Sequence, residues 1–212
     1  MVRLDAMPGT LDDAAVRDGV PRGPFGLRQR RLRARVFGEP AFDVELCPAD
    51  VCPEQPHVIA YDAWRRMVEA AAQGGLDPAP LAIHSAYRSV ALQREIWEYR
   101  LAERRRAHPE LSEREVRRQQ RVWTAVPGQS AHHTGFALDL ALYALGRAGS
   151  RRAPAYAWLA KNAVHFGFYP YLPEGWHWEY NPPGLVAHVR ELRRRIAAGE
   201  PFEGLLRALE TS

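Results

Sequence analysis

Residues 130–139 read SAHHTGFALD, and residues 174–180 read EGWHWEY. The two segments bring imidazoles and carboxylates into a small part of the sequence. A catalytic zinc ion takes three protein ligands, which are His nitrogens or carboxylate oxygens, and keeps a fourth position open. The side-chain chemistry therefore predicts a zinc site formed by His132, Asp139 and His177.

The spacing within these segments adds two expectations. Seven residues of regular strand would put His132 and Asp139 on opposite faces, so a turn is needed between them, and Gly135 permits one. Glu174 precedes His177 by three residues, within reach of a water molecule near the metal. A carboxylate there can accept the proton of an attacking water, which predicts Glu174 as a general base.

A third segment, SAYRS at residues 85–89, is followed by Gln93. An Arg that follows a strand can bind a carboxylate through two parallel hydrogen bonds, as an exopeptidase requires, which makes Arg88 a candidate substrate contact. A surface role for Arg88 is the alternative. For His133 we favour a supporting or cleft role over metal ligation. The other histidines are interpreted as ordinary core or surface residues.

The hydrophobic pattern predicts an α+β domain, with a small, mainly antiparallel sheet that carries the zinc site and helices packed around it. Strands are expected within 81–87, 136–142, 168–171 and 176–180. Helices are expected from His57, after Arg88, from Ser112, at Pro154 and from Leu185. We expect an irregular N-terminal extension over residues 1–56, the peptidase domain over 57–200 and a tail over 201–212.

One of these helices has a specific predicted face, and another has a predicted cap. The spacing of Leu92, Ile96 and Tyr99 predicts that they form the buried face of the helix that follows Arg88. Ser112 and Glu115 form a capping-box pattern at the start of the next helix.

Composition limits the remaining function classes. The 212 residues are 46% hydrophobic and carry a net charge of +4, typical of a globular domain. Residues 100–121 mix Arg with Glu, which favours a solvated helix face over a nucleic-acid surface. Cys47 and Cys52 could form a small-loop disulfide or stay free, but a thiolate zinc site would need a second pair. No apolar stretch reaches the ~20 residues of a membrane span.

The joint pattern resembles the signature of the D-alanyl-D-alanine zinc metallopeptidases. These are the vancomycin-resistance-type D,D-carboxypeptidases and dipeptidases, a group related to lysostaphin and the hedgehog signalling domain. The family pattern is Ser-x-His-x-x-Gly-x-Ala-x-Asp followed by Glu-x-Trp-His, with a Tyr-Arg-Ser element and a downstream Gln. The resemblance covers about residues 57–181. The matching positions are Ser130, His132, Gly135, Ala137, Asp139, Glu174, Trp176 and His177, with Tyr87, Arg88, Ser89 and Gln93.

The resemblance implies one Zn²⁺ per chain on His132, Asp139 and His177, and Glu174 as the base. It also implies that the substrate contacts Arg88, and we extend this substrate site to Gln93, Ser130 and Trp176. The expected activity is hydrolysis of the D-Ala-D-Ala bond, or a similar C-terminal amide, of peptidoglycan stem peptides.

Alternatives remain open at this point. They are an L,D-carboxypeptidase, an endolysin-type peptidoglycan endopeptidase and a zinc-containing binding module without activity. We expect no nucleic-acid partner and leave the oligomeric state open. No secretory h-region is visible in residues 1–10. The family implies the cell envelope, and the cytoplasm stays an alternative.

Overall fold

The computed structural model describes residues 30–204, and its centre is a four-stranded antiparallel sheet. The strands follow the order β1-β2-β4-β3, and all residues of the two central strands, β2 and β4, are buried. The strands are β1 Ile83–Ser85, β2 Ala137–Leu140, β3 Phe168–Pro170 and β4 His177–Tyr180. The predicted α+β class and antiparallel sheet are confirmed.

Helices surround this sheet, and short 3₁₀ helices join several of the elements. The α-helices are α1 Ala34–Phe37, α2 Val58–Gln73, α3 Val90–Ala107, α4 Glu113–Trp123, α5 Gly146–Arg152, α6 Pro154–Asn162 and α7 Leu185–Ala197. The 3₁₀ helices are Asp43–Glu45, Ala79–Leu81, Ala131–Thr134, Ala141–Leu145 and Ala163–Phe166. Within residues 30–204, no helix combines the length and hydropathy that a membrane span requires.

The main hydrophobic core joins the sheet to the helices. Met67 of α2, Leu159 of α6 and Val189 of α7 belong to one buried cluster with Phe136 and with Trp178 of β4. Burying a large apolar side chain contributes roughly 1.5–3 kcal/mol, so this cluster provides much of the driving force for folding. The central strands are thereby anchored in the core, which matters because they carry two of the candidate metal ligands.

The predicted buried face of α3 is wrong. Leu92 and Tyr99 are 46% and 58% exposed, respectively. The helix instead buries an adjacent face, one or two residues further along, because this face packs on α4 in a small second core with Val116. The buried residues of α3 are Gln93, Trp97 and Leu101. The predicted cap of α4 is confirmed, since the Ser112 side chain accepts a hydrogen bond from the Glu115 amide.

A buried ionic network ties the N-terminal part of the described chain to α7. Arg193 binds both carboxylate oxygens of Glu45 at 2.8–3.1 Å and donates to the carbonyl oxygen of Phe37 at 2.6 Å. Glu45 also lies 3.4 Å from the His57 ring. Burial lowers the pKa of His57, against the opposing effect of Glu45, and the stacked ring of Phe136 covers it. Residues 37–57 are thus fastened to the core.

Candidate metal centre

His132, Asp139 and His177 meet at the centre of the sheet. One potential ligand atom from each residue lies within 4.8 Å of the other two. Asp139 of β2 faces His177 of β4 directly across the antiparallel pair, and His132 comes from the 3₁₀ helix that precedes β2. All three residues are almost fully buried, with exposures of 5–9%. The fold therefore brings together three possible donors, of which the outermost two, His132 and His177, are 45 positions apart in the sequence.

The predicted turn between His132 and Asp139 is confirmed at Gly135. Its φ of 73° lies in the left-handed region, which favours glycine. A Cβ atom there would lie 2.9 Å from the backbone nitrogen of His57, and that same amide donates to the Gly135 carbonyl oxygen at 2.9 Å. A side chain at this position would collide with His57 and with Leu46 and would strain the turn that joins the 3₁₀ helix to β2.

Hydrogen bonds orient both imidazole rings toward Asp139. His132 Nδ1 lies 2.7 Å from the carbonyl oxygen of Ala86, so this nitrogen carries the proton, and its Nε2 lies 3.2 Å from Asp139 Oδ2. His177 presents Nδ1 to Asp139 Oδ1 at 2.8 Å. The nitrogens that face the carboxylate are the ones available to a metal ion. In protein metal sites the other ring nitrogen of a ligating His typically donates a hydrogen bond, as Nδ1 of His132 does to Ala86.

The charges of these groups depend strongly on one another. Burial would raise the pKa of Asp139, but the charges and hydrogen bonds of His132 and His177 outweigh it and hold that pKa well below its usual range. Burial would lower the pKa of His177, but Asp139 and Glu179 outweigh it and raise that pKa to about 9. A metal ion bound by Nδ1 of His177 would displace a proton from this ring.

The donor set fits zinc. Two imidazole nitrogens and one carboxylate oxygen make up the three-ligand set of catalytic zinc sites, in which a fourth position serves water or substrate. Within the described residues, this is the group of three His, Cys, Asp or Glu side chains that could hold a metal ion. Cys47 and Cys52, which could have offered thiolates, are free and buried elsewhere.

Glu174 lies in the turn that leads into β4. Its amide donates to the carbonyl oxygen of Tyr171 at 3.0 Å, and its own carbonyl oxygen accepts from the His177 amide at 3.1 Å. The carboxylate is 23% exposed and lies 3.9 Å from the guanidinium of Arg147, which stacks on the Trp123 ring at 4.4 Å. The turn is thus anchored to His177, a candidate metal ligand, while the carboxylate keeps access to solvent.

Arg88 is held in place from three sides. Its guanidinium donates to Gln93 Oε1 at 3.0 Å and to Ser85 Oγ at 3.3 Å, and its amide donates to the His132 carbonyl oxygen at 3.1 Å. His133 does not join the ligand group. Its Nδ1 instead lies 2.7 Å from the Arg88 carbonyl oxygen, and its Nε2 accepts from the Gly128 amide at 3.0 Å. Arg88 is therefore fixed next to His132, one of the three candidate metal ligands.

Two further candidates are buried beside this cluster. Ser130 is 4% exposed and precedes the 3₁₀ helix that contains His132. Trp176 is 8% exposed and contacts the Tyr143 ring edge to face at 5.2 Å.

The sequence interpretation missed Glu179, which contacts His177, and Arg147, which lies beside Glu174. Alternation along β4 places Glu179 on the same face as His177, so that signal could have identified it. No comparable pattern pointed to Arg147.

Comparison with known proteins agrees with this geometry. The family described as VanY, D-alanyl-D-alanine carboxypeptidase, matches residues 54–183. A D-alanyl-D-alanine carboxypeptidase of Enterococcus faecalis (strain ATCC 700802 / V583) is 28% identical over 125 residues, which are 54% of this chain and 44% of that protein. The chain thus spans less than half the length of this curated relative.

Solved structures share the fold. A Glu-to-Ala mutant of the vancomycin-resistance D,D-pentapeptidase VanY in complex with Zn(II) is 23% identical, covers 86% of this chain and 98% of its own, and gives a TM-score of 0.51. VanYB in complex with D-alanine-D-alanine is 22% identical, with 86% and 97% coverage and the same TM-score. The LD-carboxypeptidase LdcB is 25% identical, with 74% and 75% coverage and a TM-score of 0.51.

Proposed function

Because the chain belongs to the VanY family of D-alanyl-D-alanine carboxypeptidases, we propose that it is a zinc-dependent peptidase that removes the terminal D-Ala from peptidoglycan stem peptides. The observation that carries the proposal is the convergence of His132, Asp139 and His177 within 4.8 Å. These three side chains would hold one zinc ion per chain. A substrate in the bacterial cell wall would place the protein in the cell envelope, which fractionation of the native host can test.

Arg88 is proposed to bind the C-terminal carboxylate of the substrate. A guanidinium has five N–H donors, and within the described chain two of them bind Gln93 and Ser85. The remaining donors can form the paired hydrogen bonds that a carboxylate accepts. Gln93 is 1% exposed and its amide nitrogen donates to the Ala125 carbonyl oxygen at 2.7 Å, so it acts through Arg88.

Ser130 and Trp176 would complete the wall of the substrate site. Both residues are buried next to metal ligands, Ser130 two positions before His132 and Trp176 directly before His177. Their side chains can therefore shape the space in which the last residue of the peptide lies. Within such a space, closely fitting walls discriminate between substrates by the size of the terminal side chain.

Glu174 is proposed to carry the proton transfers of hydrolysis. It accepts a proton as water adds to the scissile carbonyl carbon, and it delivers that proton to the amide nitrogen as the C–N bond breaks, so that D-Ala leaves as an amine. Zinc, when bound, supplies Lewis-acid activation of the carbonyl and of the water. Arg88 meanwhile keeps the scissile bond in position, which reduces the entropic cost of reaction.

A Glu174→Gln variant tests this assignment, with Glu98→Gln on the exposed surface of α3 as the matched control. Zinc content and melting temperature should stay at wild-type values, because the three ligands are untouched. The rate should fall about 10²- to 10⁴-fold, the usual contribution of a general base. A zinc-loaded Glu174→Gln protein with the wild-type rate would remove Glu174 from the mechanism. A wild-type protein that binds zinc without turnover would instead favour a non-catalytic binding module.

An L,D-carboxypeptidase is the second candidate, and the likeness to LdcB favours it over an endopeptidase. The two carboxypeptidase activities differ in the residue that precedes the scissile bond. Incubation with stem pentapeptides that end in D-Ala-D-Ala, with tetrapeptides and with cross-linked dimers, read by mass spectrometry, separates them. Loss of one D-Ala from the pentapeptide alone supports the proposal. Cleavage confined to the tetrapeptide or to the cross-link overturns it.

A further inference from the structure

His177 has a second carboxylate partner besides Asp139. Its Nε2 lies 3.1 Å from Glu179 Oε1, while its Nδ1 faces Asp139 at 2.8 Å. Glu179 follows His177 by two residues in β4, so both side chains lie on the same face of the strand. Glu179 is fully buried, with 0% exposure. The ring of His177 is therefore held between two acidic groups, and one of these is outside the predicted ligand set.

The buried charge of Glu179 is compensated by the N-terminal segment. The guanidinium of Arg31 lies 2.9 Å from Glu179 Oε1, and the amide of Leu32 donates to Oε2. Arg31 also stacks on the ring of Tyr171 at 3.7 Å. A buried carboxylate without partners would leave its oxygens unsatisfied, so the contacts with Arg31 and Leu32 stabilise the Glu179 side chain in this position.

We infer that Glu179 is a positioning residue of the candidate metal centre and that Arg31 holds its carboxylate in place against His177. A carboxylate that accepts the Nε2–H of His177 fixes the tautomer in which Nδ1 has its lone pair free for a metal ion. The same hydrogen bond fixes the ring orientation and makes the ring a stronger ligand. This inference rests on the zinc site of the proposed function, and it adds an N-terminal residue, 146 positions away from His177, as a determinant of metal affinity.

Three variants test the inference through zinc affinity, measured by competition with a chromophoric chelator on protein stripped of metal. Glu179→Gln removes the charge and should weaken zinc binding by about 10- to 100-fold, the usual effect of losing such a partner. Arg31→Ala should also weaken zinc binding, but by a smaller factor. Arg35→Ala is the matched control, because Arg35 is an exposed Arg of the same segment, and it should bind zinc like the wild type.

A spectroscopic measurement separates this role from a purely structural one. In zinc-loaded, ¹⁵N-labelled protein, His177 should carry its proton on Nε2, and the resonance of that proton should move upfield in Arg31→Ala. A ring protonated on Nδ1 instead would overturn the inference. If Glu179→Gln fails to fold, the Arg31→Ala variant alone tests the inference. The Arg31 side chain is 40% exposed and lies outside β4, so its removal leaves the strand intact.

The proposed function and this inference can fail separately. A wild-type chain that binds no zinc would overturn the proposed function. A wild-type chain that binds zinc, with Arg31→Ala and Arg35→Ala binding it equally tightly, would overturn the inference alone.

Discussion

The side-chain oxygen of Gln93 accepts a hydrogen bond from the Arg88 guanidinium at 3.0 Å, while the amide nitrogen of Gln93 donates to the Ala125 carbonyl oxygen at 2.7 Å. Gln93 thus links Arg88 to the loop that follows α4. Because Gln93 is buried, it has few alternative conformations in which these bonds could be kept. The packing of α3 therefore helps to set the direction of the Arg88 guanidinium, together with the hydrogen bond to Ser85.

We expect Gln93→Leu to impair recognition of the substrate carboxylate. The guanidinium would lose a fixed acceptor, and kcat/KM for a peptide with a free C-terminus should fall about 10-fold. The same peptide with an amidated C-terminus should be affected less, in this variant and in Arg88→Ala. Gln73→Leu on the exposed surface of α2 is the control. Equal losses on both peptides would show that Arg88 does not recognise the carboxylate.

We expect His132→Ala and His177→Ala to abolish stoichiometric zinc binding. Each change removes one of three donors, and two remaining ligands cannot form the three-ligand site that catalytic zinc uses. Metal analysis of purified protein provides the measurement. His84→Ala, a change of an exposed histidine outside the cluster, should keep one zinc per chain. Full occupancy in His132→Ala would contradict the assignment.

Cys47 and Cys52 should resist alkylation in the folded protein. Burial, with a further contribution from the hydrogen bond to Glu54, raises the pKa of Cys52 to about 11, and burial also raises the pKa of Cys47. Since the thiolate is the reactive form, the rate with iodoacetamide should be low at pH 8 and rise as the pH approaches 11. Rapid labelling at pH 8 without unfolding would disprove this.

A double variant in which Cys47 and Cys52 are both replaced by Ser should keep the peptidase activity of the wild type.

Arg193 should contribute far more to stability than its neighbour Arg194. Arg193→Met leaves Glu45 buried without its main partner, and breaking such a pair costs about 3–5 kcal/mol. Arg194 forms a surface pair with Glu191, in which both side chains are more than half exposed, and the loss of such a pair costs roughly 0–1 kcal/mol. Urea denaturation would measure both free energies of unfolding. A similar, small loss in both variants would refute the prediction.

The convergence of His132, Asp139 and His177 could be predicted from the sequence because each of these residues belongs to a short local pattern. His132, Gly135 and Asp139 lie within eight residues, and the spacing alone required the turn that the structure contains. The antiparallel sheet was predictable for a similar reason, since its short apolar strands are separated by clear breaks. In both cases the information was local.

The errors and omissions concern contacts between distant segments. The buried face of α3 was wrong because Trp97 and Leu101 pack on α4, a partner that the periodicity of one helix cannot identify. Arg31 was missed because its partner, Glu179, lies 148 residues later in the chain. No pattern within the N-terminal segment distinguishes Arg31 from the other arginines beside it.

Asp139 and His177 face each other across the β2–β4 pair, so their contact depends on the register of these two strands. Because side chains alternate between faces, a slip of one residue between these strands would turn His177 away from Asp139. A chain with that slip could not bring the donors together. If the site binds zinc as proposed, among chains of identical sequence only those with the correct strand register would keep the ion, so zinc content would report the fraction of correctly folded protein.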